Sequence, residues 1–117
     1  MLKFKKDLVE KLNLKIISGE SGIHRVVKGG YVCDLLSDVM GNAVMGNIWI
    51  TLQTHKNVLA IASLKDLSCI ILIKSFQPDS DTIEQSNLEE IPILSTNKTA
   101  FEITGELYNL LGENDSL

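Results

Sequence analysis

Three short polar stretches hold residues whose types suit binding chemistry: "QTHKN" (53–57), "KSFQPD" (74–79) and "STNKT" (95–99). Each contains one lysine: Lys56, Lys74 and Lys98. Around them stand the polar side chains of Gln53, Thr54, His55, Asn57, Ser75, Thr96, Asn97 and Thr99. Three ammonium groups among so many polar side chains suit a phosphate or a carboxylate. If each stretch leads into a helix, the helix N-terminus adds free N–H groups and a positive dipole. His55 has the chemistry of a general base or a phosphate ligand. No Ser/Asp arrangement near it suggests a triad, so it reads better as a binding or structural histidine. The plainer alternative is that polar loops at strand ends are ordinary, and both readings stay open on these residues alone.

Several absences narrow the chemistry. The chain has no GxxxxGK[ST] phosphate loop, although "GESG" and "KGG" supply glycines, and no GxGxxG. Neither HExxH nor a paired His/Cys cluster is present, so no metal and no cofactor is expected. Cys33 and Cys69 lie inside apolar runs without a CxxC partner. They read as two buried, reduced thiols of a cytoplasmic protein. Asp34, Asp38, Glu89 and Glu90 fit helix caps and surfaces better than a catalytic carboxylate pair.

The elements that must position these residues follow from hydrophobic patterning. At 117 residues, 44% hydrophobic and 22% charged, the chain suits one folded domain spanning 1–117. Phe4, Leu8 and Leu12 form one stripe of an opening helix over 1–13, ended by Asn13. Lys3, Lys5 and Lys6 are its solvated face. "LKII" (14–17) predicts a strand, "GESG" a turn, and "IHRVV" (23–27) a second strand with His24 and Arg25 facing solvent. Gly29 and Gly30 break that strand before "YVC" resumes it. Asp34 is the expected cap of a helix carrying Leu35, Leu36, Val39 and Met40, which closes at Gly41 and Asn42.

From residue 48 the pattern is regular. "IWITL" (48–52), "CIILI" (69–73) and "IPIL" (91–94) alternate with helices that start at Asn57, after Pro78-Asp79, and at Thr99. "CIILI" is a continuous apolar run, as in a strand covered on both faces, and Trp49 is expected to pack the core. Thr99 and Glu102 make a capping box. The last helix is expected to bury Ala100, Thr104, Leu107, Tyr108 and Leu111 and to stop at Gly112, leaving a frayed tail at 113–117. The fold class is therefore α/β: three α/β/α layers around a mainly parallel sheet with right-handed crossovers. The three polar stretches then meet at the carboxyl ends of the strands, where such sheets bind ligands.

A net charge of −4 argues against a nucleic-acid partner. The opening "MLKFKKDLVEKLNLK" lacks a signal peptide's apolar region, and no apolar run is long enough for a bilayer, so no membrane partner is expected.

The stretches "GGYVCDLLSDVMGNA", "GNIWITLQTHKNVLAIASLKDLSCIILI" and "IPILSTNKTAFEITGELYNLL" resemble the DRTGG domain family, over roughly residues 14–111. The resemblance implies a fold like the N-terminal domain of HPr kinase/phosphatase and of the Mur ligases. It also implies a regulatory or dimerising module, as in relatives that carry the domain beside CBS domains in regulatory segments of inorganic pyrophosphatases. Where many members have Asp-Arg after the central strand, this chain has Gln53-Thr54-His55-Lys56-Asn57. Ile73-Lys74-Ser75 aligns with their Thr-Gly-Gly.

The leading expectation is a non-catalytic regulatory domain that binds a small anion, such as a nucleotide or phosphorylated metabolite, and forms a homodimer. Second comes an interaction module without a ligand, pairing with itself or with a signalling protein through edge strands at 23–33 and exposed helix faces. An enzyme using His55 ranks last.

Overall fold

The structure, a computed structural model, describes the backbone of residues 2–3 and 6–115 and the side chains of residues 8–112. The chain opens with strand β1 (Leu2–Lys3) and helix α1 (Lys6–Lys11), where patterning predicts one helix over 1–13. Phe4, first in the expected stripe, lies outside the described residues. Leu8 and Leu12 are buried, and Asn13 ends the helix in the left-handed region at φ 53°.

Strand β2 (Lys15–Ser18) and a 3₁₀ turn (Glu20–Gly22) follow. Next come β3 (Val26–Val27) and β4 (Gly29–Val32). The strand expected at 23–27 is thus shorter. His24 and Arg25 stay outside it because Arg25 is drawn away to the end of a later helix: its guanidinium donates to Glu90 O (3.2 Å) and Glu89 O (3.5 Å) and pairs with Asp66 (3.3 Å). Arg25 is half-buried by these contacts, while His24 stays exposed. Gly29 and Gly30 do not break the strand; they open β4, whose bonds to its neighbour outweigh their weak strand propensity.

The regular part matches the patterning closely. Its elements are α2 (Leu36–Asn42), β5 (Asn47–Thr51), α3 (Asn57–Leu64) and β6 (Cys69–Leu72). Then come α4 (Ser80–Glu89), β7 (Ile93–Ser95) and α5 (Ala100–Asp115). In the main sheet the strand order is β2-β7-β6-β5-β4; β4 to β7 run parallel and β2 is antiparallel to β7. β1 and β3 form a separate antiparallel pair.

Strand periodicity divides the core. Ile48, Ile50, Cys69, Ile71 and Leu94 face α1 and α5 and meet Leu8, Leu12, Ile103 and Leu107. Trp49, Ile70, Leu72 and Ile93 face the other way and meet Val39, Val58, Leu59 and Ala62 from α2 and α3. The three-layer α/β/α class is what the structure has.

Two packing details differ from the patterning. Helix α5 buries Ile103, Leu107 and Leu110 rather than Tyr108, which is 78% exposed. The spacings of four and three keep Ile103, Leu107 and Leu110 on one stripe, and Tyr108 falls beyond its margin. The helix also passes Gly112 and runs to Asp115, because Gly112 does not adopt the positive φ of a terminating glycine. Of the expected loose tail, residues 116–117 lie outside the described residues. Cys69 is fully buried, but Cys33 is only half-buried.

Candidate functional site

The carboxyl ends of β4, β5, β6 and β7 carry the loops of interest. Strand order runs one way from β4 to β7, so α2, α3 and α4 cross on one face, and α5 leaves β7 for the other. The chain therefore diverges between the neighbouring strands β6 and β7. Connections that leave neighbouring strand ends for opposite faces open the kind of crevice in which α/β sheets bind ligands.

Backbone bonds tie the loops together. Lys74 N–H donates to Lys98 O (2.9 Å) and Ser75 N–H to Thr96 O (2.8 Å). Thr54 O accepts from Asp79 N–H (3.2 Å) and from the Thr82 hydroxyl (2.8 Å), linking the β5 loop to the start of α4. Gln53 Nε2 donates to Asp34 O at 2.9 Å. Gln53, Thr54, Lys74, Ser75, Thr96 and Lys98 are thus joined into one end of the molecule. Asn97 is exposed beside them, and Thr99 opens the last helix.

Asp34 does not cap α2. The residue at the cap position is Leu35, in extended conformation and without a side-chain cap bond. The Asp34 carboxylate instead accepts from the Thr51 hydroxyl (2.6 Å) and Leu52 N–H (2.9 Å), fixing the end of β4 against the end of β5. Pattern reading misses this role. The signal was an acidic residue just past one strand with Thr51 at the end of its neighbour.

The helix starts are more self-sufficient than the sequence suggests. Asn57 does not cap α3; it is the first helical residue, and its N–H donates to His55 Nδ1 at 3.2 Å. This makes Nδ1 an acceptor and leaves Nε2 to carry the ring proton, on an exposed side chain. At α5 the capping box forms as expected. Thr99 N–H and hydroxyl meet Glu102 Oε1 at 3.1 and 3.0 Å, and Glu102 N–H donates to Thr99 Oγ1 at 3.3 Å. The bonds from Thr99, backbone first, hold the Glu102 carboxyl below its usual 4.5. That carboxylate already occupies the anion-favouring start of α5. At α4, Asp79 and Asp81 place negative charge in the first turn.

The three lysines also differ. Lys98 Nζ sits 2.6 Å from Glu106 Oε1, with both side chains partly covered. Lys56 and Lys74 are exposed and form no ion pair among the described residues. Lys74 Nζ lies 5.9 Å from the centre of the Phe76 ring. Lys74 and Ser75 are also backbone outliers, both left-handed, at φ 52° and 58°. For non-glycine residues this costs about 1–2 kcal/mol each.

Two described cavities are of similar size, and one of them reaches the region. One, about 470 Å³, starts at Lys56 and Asn57 and runs between α3 and α4 to Gln85 and Glu89. The other, about 460 Å³, lies at the amino ends of the strands beside Arg25, Lys28, Gly46 and Ser68. No described helix is long and apolar enough to cross a membrane. No group of three potential metal ligands occurs among the described residues.

The profile of the DRTGG domain matches residues 7–110. The chain belongs to the DRTGG domain family. A solved structure with the same fold is the regulatory region of Clostridium perfringens pyrophosphatase, comprising CBS and DRTGG domains and complexed with the activator diadenosine tetraphosphate. It shares 14% identity and a TM-score of 0.64; the match covers 86% of this chain and 44% of that one. The chain thus spans less than half of that regulatory region. No curated protein matches the chain. Lys74 and Ser75 hold consecutive left-handed backbone, the conformation that glycine adopts most readily.

Proposed function

We propose that this DRTGG domain is a non-catalytic regulatory module that binds a small anionic ligand, of nucleotide or phosphorylated-metabolite type, at the carboxyl ends of its sheet. The observation that carries the reading is the consecutive left-handed Lys74-Ser75 at the divergence of β6 and β7. Strained backbone of this kind clusters at ligand clamps. The strain is held by the bonds to Thr96 and Lys98. Lys56 and Lys74 supply exposed positive charge, and His55 offers an N–H donor through Nε2. The backbone amides of the helix starts contribute little, because His55 and Glu102 already engage those of α3 and α5. The pyrophosphatase regulatory region, with its nucleotide activator, supports the ligand class.

The same reading includes self-association and a cytoplasmic location. No catalytic role is assigned to His55, whose Nδ1 is committed to Asn57.

A thermal-shift series with AMP, ATP, diadenosine tetraphosphate and pyrophosphate tests the ligand. A compound at 100 times its Kd stabilises the fold by about 2.7 kcal/mol. The expected result is a shift with at least one phosphate compound that a Lys56→Ala, Lys74→Ala double variant loses. No shift with any of them, or one that the double variant keeps in full, contradicts the reading.

A further inference from the structure

Strand β4 is the last strand of the main sheet and pairs with β5 alone among the described residues. Cys33 N–H donates to Ile50 O at 3.3 Å. By the two-residue period of a strand, Tyr31 also faces β5, and Gly30 and Val32 turn their N–H and C=O groups to the open side. Gly29–Val32 contains no lysine, proline or bulge, the usual guards of an edge. Val32 is 47% exposed on this edge. A small groove of about 80 Å³, mostly apolar, lies between it and α5, lined by Gly30, Thr104, Leu107, Tyr108 and Leu111. The Thr104 hydroxyl is buried there without a hydrogen-bond partner among the described residues.

We infer that β4 is a self-pairing edge: a second copy of this chain lays its own β4 antiparallel against it, about a twofold axis through Tyr31. The inference rests on the self-association part of the reading above and names the surface. The occupant follows from the pattern of the strand itself. A twofold at Tyr31 sets Gly30 opposite Val32 of the second copy, and Val32 opposite its Gly30. Each branched side chain then stands over a residue with none, beside the apolar groove. The outward N–H and C=O groups of Gly30 and Val32 meet their counterparts as a closely bonded antiparallel pair. The contact is isologous and closes after two copies, as a dimer interface must. It joins two five-stranded sheets into one continuous sheet. The exposed Tyr108 ring flanks the seam on α5.

Light scattering on the eluting full chain tests this, with circular dichroism to monitor the fold. Wild type is expected at twice the 12.9 kDa chain mass. Val32→Pro removes an N–H that β5 does not use, and Val32→Lys places charge on the edge. Each is expected to weaken dimerisation by about 100-fold, the scale of losing two edge hydrogen bonds. Leu88→Lys, an exposed change on α4 away from β4, is expected to leave the dimer intact. If Val32→Pro loses its fold, Val32→Lys decides. A monomeric wild type overturns self-association and this inference together. A dimer that survives in the folded edge variants overturns the β4 assignment and leaves self-association standing.

Discussion

Lys74 and Ser75 hold a backbone that glycine would adopt without strain. Each pays for it in steric energy, and each is exposed, so replacement removes little packing. Lys74→Gly and Ser75→Gly are expected to raise stability by about 0.5–1 kcal/mol in urea unfolding, after allowing for the extra freedom of glycine in the unfolded chain. Destabilisation by either would show that the φ values are not strained in place. Glu102 makes a second prediction. Its carboxyl is held below the usual 4.5 by Thr99, so the capping box contributes fully above that pH. Its contribution disappears as pH falls through the lowered folded-state value. The urea midpoint of wild type should therefore fall toward that of Glu102→Gln on acidification from neutral pH. A difference that stays constant with pH would contradict it. Tyr31 and Asp38, 2.6 Å apart, make the same kind of bond, which raises the tyrosine and lowers the carboxylate. The residue types at the site were legible in the sequence, but their partners were not. Lys98 looked like Lys56 and Lys74 because Glu106 lies eight positions along a helix whose orientation patterning does not give.

At the scale of elements, loops are set by tertiary ties as much as by capping preference. Asp34 follows the cap rule by type and position, yet Thr51 and Leu52 take its carboxylate. Asp34→Ala is expected to destabilise by about 1.5–3 kcal/mol, the scale of hydrogen bonds to a charged group, whereas Asp34→Asn should retain part of it. Equal losses in both would point to charge rather than acceptor geometry. Arg25 illustrates the same limit. It was expected in a solvent-facing strand, but donates to the last carbonyls of α4, where a cation also meets the helix dipole. Arg25→Ala should cost about 1–2 kcal/mol, read by chemical unfolding. Strands β5, β6 and β7 were legible because apolar runs of strand length between turn signals have one economical solution. The short strands β1 and β3 were not. A two-residue strand carries no periodicity, and its existence depends on a partner more than twenty residues away.

At the scale of the whole molecule, the order β2-β7-β6-β5-β4 decides what the local pieces can do. It collects four strand ends into one surface, creates a divergence between β6 and β7, and leaves β4 open. The parallel sheet and its layers could be read from alternating apolar runs and helices. The strand order could not, since each crossover is equally compatible with several orders until helices are packed. The ligand-binding reading belongs to this scale, because the cavity at the amino ends of the strands competes for the role with the loops at their carboxyl ends. Amide chemical shifts of the full chain, recorded while ATP or diadenosine tetraphosphate is titrated in, distinguish them. The expected result is saturable change concentrated at 53–57, 73–77 and 95–99. Change centred instead on His24, Lys28, Gly46 and Ser68, or none at millimolar ligand, would contradict a binding site at the carboxyl ends of the strands.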